Sequence, residues 1–104
     1  MSEPSSSRAT LLVVYSPRLE DCQRFYSGLG LRFTAEQHGR GPRHYAAVLA
    51  GGTVFEIYPA RPGRETGALR LGFAITGATA TPPLPPGRHQ LADPDGRVVY
   101  VDAT

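Results

Sequence analysis

Four of the five residues 82–86 are proline, and no helix can pass through them. Each proline lacks a backbone N–H, and its ring clashes with the carbonyl one turn earlier. The block sits in the stretch 77–88, GATATPPLPPGR, immediately after 68–76, ALRLGFAIT, whose alternating apolar residues read as a strand. The second half of the chain therefore runs strand, loop, strand, strand. The last two strands are split by the DPDG turn at 93–96, and the final one covers about 97–102.

The first half reads differently. Residues 10–15, TLLVVY, form an apolar, β-branched run and predict a buried strand. Ser16 and Pro17 supply an N-cap and a first helical residue. Leu19, Cys22, Phe25 or Tyr26, and Leu29 then recur at helical spacing on one face, and Gly28 and Gly30 close the helix at about residue 28. Strands follow at 31–36, 44–50 and 53–58, the last two joined by a Gly51-Gly52 hairpin turn, with the loop GRGPR at 39–43 and a linker at 59–67. The order is β-α-β-β-β, then β-loop-β-β.

At 104 residues the chain has the length of one domain and buries roughly 65% of its unfolded surface. Residues 1–9, rich in serine and polar residues, read as a disordered tail, and 10–102 as a single domain. Its first module spans about 10–58 and its truncated second module about 68–102. No apolar run approaches the ~20 residues of a membrane span. The start MSEPSSSRAT lacks the apolar segment of a secretory signal. With Cys22 the lone cysteine, these features predict a cytoplasmic protein. All eleven basic residues are arginine and there is no asparagine, a composition expected of a GC-rich bacterial genome. The arginines form no run or stripe, and the net charge is only +2, so neither nucleic acid nor membrane is expected as a partner.

Three segments together resemble the vicinal-oxygen-chelate superfamily, which includes glyoxalase I, extradiol dioxygenases and bleomycin-resistance proteins. RFYSGLGLRF at 24–33 is similar to the family's FY-x-x-x-LG-L signature. AAVLAGGTVFEIYP at 46–59 looks like its third and fourth strands, with Glu56 in the latter, and DPDGRVVYV at 93–101 looks like its closing turn and strand. The resemblance implies an α+β fold of two βαβββ modules, whose curved mixed sheet surrounds a cavity; here the second module lacks its helix. It also implies helices on the outer faces and a homodimer.

The family's metal chemistry draws four ligands, usually His, Gln or Glu, from four strands. By resemblance those positions fall at about Leu11 (with Thr10 and Leu12 adjoining), Glu56, Arg70 and Tyr100. One carboxylate beside a guanidinium is a poor cation site, so no metal and no other cofactor is expected. Strand alternation places Leu11, Val13, Tyr15, Val54, Tyr58 and Val98 with these residues, lining an apolar, tyrosine-bearing pocket. Glu56 and Arg70 would either pair as a structural remnant or act on a ligand, Arg70 on an anionic or carbonyl oxygen and Glu56 as acceptor or general base. His38 reads as a solvated loop residue. A His44/Glu56/His89 site has plausible ligand types, but nothing in the spacing makes them converge.

The missing helix leaves Leu69, Leu71, Phe73 and Ile75 as an uncovered apolar face, which predicts a homodimer or a proline-rich loop laid across it. The expected function is a small-molecule binder that sequesters or carries a partly apolar ligand without metal, with Arg70, Tyr100, Tyr58, Tyr15 and Val13 as contacts. The alternatives are a metal-independent isomerase, cyclase or lyase with Glu56 as base, and a degenerate scaffold without ligand.

Overall fold

The computed structural model describes residues 3–104. The first two residues of the expected tail lie outside that range; residues 3–9 carry no helix or strand, and Arg8 and Ala9 hydrogen-bond to Gly51 and Thr53. The elements are β1 (Leu11–Ser16), α1 (Leu19–Gly28), β2 (Phe33–Glu36), β3 (His44–Val48), β4 (Val54–Pro59), β5 (Arg70–Ile75), β6 (Gly87–Ala92) and β7 (Val98–Ala103), with a single 3-10 turn at Gly77–Thr79. Among the described residues no helix is long and apolar enough to cross a membrane.

Two mixed sheets result. The first has the order β1-β4-β3-β2 and the second β5-β7-β6. The modules share a plan: β1 pairs in parallel with β4 as β5 does with β7, and the remaining neighbours are antiparallel. A parallel pair needs a long crossover. In the first module α1, β2 and β3 make up the connection; in the second, the 3-10 turn, the proline segment and β6 do. The second module has thus lost both its helix and one strand.

The helix starts later than Ser16 and Pro17 predict. Ser16 is the last residue of β1, and Arg18 holds the N-cap position with no side-chain cap. The Ser16 hydroxyl still accepts the Arg18 N–H, at 2.9 Å. At the other end Gly30 adopts φ 102°, and the Leu31 N–H reaches back to the Tyr26 carbonyl, the six-to-one closure that a left-handed glycine permits.

One core serves both sheets. Val14, Ala47, Phe55 and Ile57 from the first sheet, Cys22, Tyr26 and Leu29 from α1, and Val99, Val101 and Ala103 from the second form a single buried cluster. Tyr26 makes edge contacts with Phe55 at 5.2 Å and with Phe73 at 5.9 Å, touching a strand of each sheet. This corrects the expectation of an uncovered face on β5. Leu71, Phe73 and Ile75 pack against the shared core, so α1 and the first sheet do the work of the absent helix. The proline segment contributes too: Leu84 packs on the core, its N–H bonds to the Gly77 carbonyl at 3.0 Å, and the Thr81 N–H bonds to the Gly28 carbonyl at 2.8 Å. Leu69 stays exposed.

The two halves are also tied by a buried polar knot. Arg97, at the end of the DPDG turn, pairs with Asp93 at 2.8 Å and Asp95 at 2.9 Å. It also donates to the Tyr15 carbonyl at 3.0 Å and the Thr66 carbonyl at 3.3 Å. The Tyr26 hydroxyl donates to Asp93 at 2.7 Å. A turn motif on the second module thereby fixes α1, β1 and the 59–67 linker.

Candidate functional site

Since one face of each sheet is spent on the core, the alternate residues of every strand point outward. On the first sheet the register aligns these residues in three rows. Leu11, Val54 and Val48 form an apolar row; Val13, Glu56, Ala46 and Thr34 form the middle one; Tyr15 and Tyr58 lead a third row toward His44 and Glu36. Leu11, Tyr15 and Val48 are 54%, 44% and 72% exposed, large values for apolar and aromatic side chains.

The third row is aromatic and tightly built. The rings of Tyr15 and Tyr58 lie 5.8 Å apart, and His44 stacks on Tyr58 at 4.0 Å with only 9° between the planes. His44 is buried, with 1% of its side chain exposed, and its Nδ1 lies 3.1 Å from the Pro42 carbonyl. A carbonyl can only accept, so Nδ1 is the donor in that contact and Nε2 is the ring atom turned toward the carboxylates. That atom is 3.3 Å from Glu36 Oε1 and 3.7 Å from Glu56 Oε2, yet it makes no hydrogen bond. Burial first, and the charge of Glu56 next, push the Tyr58 hydroxyl above its ordinary pKa.

The residues expected to line one pocket are thus divided. Val13, Tyr15, Glu56 and Tyr58 share the outward face of the first sheet. Arg70 and Tyr100 lie on the outward face of the second, where Gly72 is the direct partner of Tyr100 and Arg88 covers the Tyr100 ring at 4.7 Å. Among the described residues Glu56 and Arg70 form no ion pair; Glu56 faces His44 instead. Arg70 lines a separate cleft of about 360 Å³ with Leu69, Asp95 and Gly96. A larger cleft of about 670 Å³ lies between the end of α1, the β3–β4 turn and β5.

The four positions at which the resemblance implies metal ligands carry a hydrocarbon, a carboxylate, a guanidinium and a phenol, divided between the two outward faces. That donor set does not fit a divalent ion. His89 does not join His44 and Glu56 either: it sits on β6 in the other sheet, with Nε2 2.7 Å from the Pro85 carbonyl.

The sequence alone does not single out Glu36, and it reads His38 as a solvated loop residue, as its exposure bears out, without linking either to His44. The one signal was their spacing of two, which on an extended segment puts both side chains on the same face. His38, 74% exposed, approaches Glu36 at 3.5 Å and lies 5.2 Å ring-to-ring from His44.

No family model matches the chain, and no curated protein matches it. Solved structures do. TnmS3, an antibiotic binding protein from Streptomyces sp. CB03234, is 22% identical with a TM-score of 0.67, covering 97% of this chain and 98% of that one. A possible glyoxalase from Bacillus cereus is 10% identical with a TM-score of 0.63, covering 94% of this chain and 100% of that one. A lactoylglutathione lyase from Agrobacterium tumefaciens is 16% identical with a TM-score of 0.58, covering 95% and 94%. Matched over nearly the full length of each, this chain has the fold of these solved structures, which include an antibiotic binding protein, a possible glyoxalase and a lactoylglutathione lyase.

Proposed function

We infer that the protein binds a partly apolar small molecule on the outward face of its first sheet, and sequesters or carries it without the metal positions of the fold. The observation that carries this reading is the face itself: Leu11, Val13, Val48 and Val54 beside a Tyr15–Tyr58–His44 row, with Glu56 among them. An exposed apolar and aromatic face of this kind marks a ligand or partner surface. The antibiotic-binding role in TnmS3's name supports the same class of function here.

The protein acts as a homodimer in this reading. The outward faces point away from a common core, so one chain cannot close Tyr15, Glu56 and Tyr58 over its own Arg70 and Tyr100. A second copy can, and the groove between the copies then holds the ligand. The lone, buried Cys22 fits a reducing compartment, so the proposed location is the cytoplasm.

Light scattering should give a dimer, and Val48→Arg should weaken it at least roughly tenfold while leaving the fold intact. Titration with a panel of aromatic antibiotics, followed by mass spectrometry of the compound, tests the rest. Saturable binding of an unaltered compound, lost in Tyr58→Ala, is the expected result; a monomer without such binding overturns the reading.

A second reading makes Glu56 a general base in a metal-independent isomerase, cyclase or lyase. Its supporting observation is that Glu56 is mostly buried and faces His44 rather than Arg70. Glu56→Gln separates the two readings: a carrier keeps its ligand, whereas an enzyme binds and ceases to turn over.

A further inference from the structure

The His44 ring is buried and held in place on two sides, and its Nε2 has no hydrogen-bond partner. Its Nδ1–H is committed to the Pro42 carbonyl at 3.1 Å. This is the second hydrogen bond that metal-binding histidines ordinarily make, and it leaves Nε2 as the atom available to an ion. Stacking on Tyr58 at 4.0 Å holds the ring plane. The buried Nε2 has no hydrogen-bond partner, an expensive arrangement unless something else fills the position.

Around that atom stand the right donors at the right separations. Glu36 Oε1 is 3.3 Å from His44 Nε2 and 3.5 Å from His38 Nε2. Ligand atoms from all three residues lie within 4.8 Å of one another. Donors about 2.0–2.2 Å from a tetrahedral ion must themselves be about 3.3–3.6 Å apart. Two of the three separations already match, and the third closes with a rotation of the exposed His38 side chain. Glu56 Oε2, 3.7 Å from Nε2, adds negative charge on the other side.

The geometry points to a zinc-class divalent metal site on the β2–β3 hairpin, with Glu36, His38 and His44 as ligands and Glu56 beside it. Two imidazoles and a carboxylate favour zinc, cobalt or nickel over magnesium or calcium, which prefer all-oxygen sets. The ion would clasp both ends of the 37–43 loop, since Glu36 precedes it, His38 lies at its start and His44 follows it. Three protein ligands leave a fourth position for water or for an oxygen of a bound molecule. The site is separate from the four positions the resemblance implies, except that Glu56 borders both.

The test uses tag-free protein stripped with EDTA, titrated calorimetrically with zinc chloride and with magnesium chloride, and loaded in parallel with cobalt(II) chloride. Expected are saturable zinc binding at one ion per chain, a melting temperature that rises with zinc and not with magnesium, and the visible absorption of tetrahedral cobalt. Glu36→Gln and His38→Ala should each weaken zinc binding by at least roughly tenfold, while His89→Ala leaves it unchanged. His44→Ala empties a core position and can fail to fold; His38→Ala touches only an exposed side chain and keeps the test valid. The absence of saturable zinc binding up to about 1 mM, a cobalt spectrum without tetrahedral bands, or His38→Ala binding zinc as the parent does would each overturn the proposal. The cluster would then be a histidine–carboxylate ion pair.

Discussion

The Arg97 guanidinium meets the Asp93 carboxylate at 2.8 Å, with both side chains 2% exposed or less. Because Arg97 also caps the Tyr15 and Thr66 carbonyls, the pair joins the closing turn to the first strand. Breaking a buried pair from one side strands a charge and costs about 3–5 kcal/mol. That is a large share of the about 5–15 kcal/mol that stabilises a typical domain. Arg97→Met should lose that amount in urea unfolding at neutral pH. Tyr26→Phe removes one hydrogen bond to the same carboxylate and should lose about 1.5–3 kcal/mol. An unchanged midpoint for Arg97→Met would refute the structural role.

The same knot sets the acid limit of the fold. Burial alone would raise the Asp93 pKa, but hydrogen bonds from Tyr26 and Arg97 outweigh it and hold the carboxyl below its ordinary range. A carboxyl depressed in the folded state contributes its full stabilisation above the unfolded value of about 3.9, and loses it as pH falls through the lower folded value. The melting temperature should therefore be level from about pH 7 to 5 and drop below about pH 4. Arg97→Met should flatten that drop; circular dichroism melts across the range measure it.

Cys22 should be chemically silent. Burial pushes its thiol up to about 11; the Ser16 hydroxyl opposes this, and the nearby Asp95 and Asp93 carboxylates add to it. At pH 8 about a thousandth of such a thiol is ionised, and the thiolate is the reactive form. The native protein should resist a disulfide reagent for hours and react within minutes in guanidinium. Rapid labelling of folded protein would show that the helix face opens.

Gly77 is a test of the proline segment. A Cβ there would stand 2.2 Å from the Leu84 carbonyl oxygen and 3.0 Å from the Ala103 Cβ, so backbone must move. Gly77→Ala should cost about 1–3 kcal/mol. Gly67→Ala, which meets nothing within 4 Å, should change stability by no more than about 1 kcal/mol in either direction. Equal effects of the two would mean that the segment is not held against the core.

The elements were largely legible because their signals are local. TVFEIY alternates, and Phe55 and Ile57 are buried as that alternation requires. PPLPP forbids a helix, and only a 3-10 turn forms before it. Of the candidate site, alternation made legible that Val13, Tyr15, Glu56 and Tyr58 share one sheet face, but not that Arg70 and Tyr100 lie on the other sheet. Nothing near Arg97 in sequence announces partners at Tyr15 and Thr66, and a histidine after a GRGPR loop gives no sign of becoming fully buried against Tyr58.

The sequence by itself determined an α+β chain of two related modules, the second without its helix, because period, proline and turn chemistry act over a few residues. The tertiary structure alone decided that one helix serves two sheets, that the expected pocket residues face outward on separate sheets, and that His44 meets Glu36 and Glu56. These outcomes depend on which face each sheet gives to the core. That choice is made by the summed burial of both modules together, and no local segment contains it.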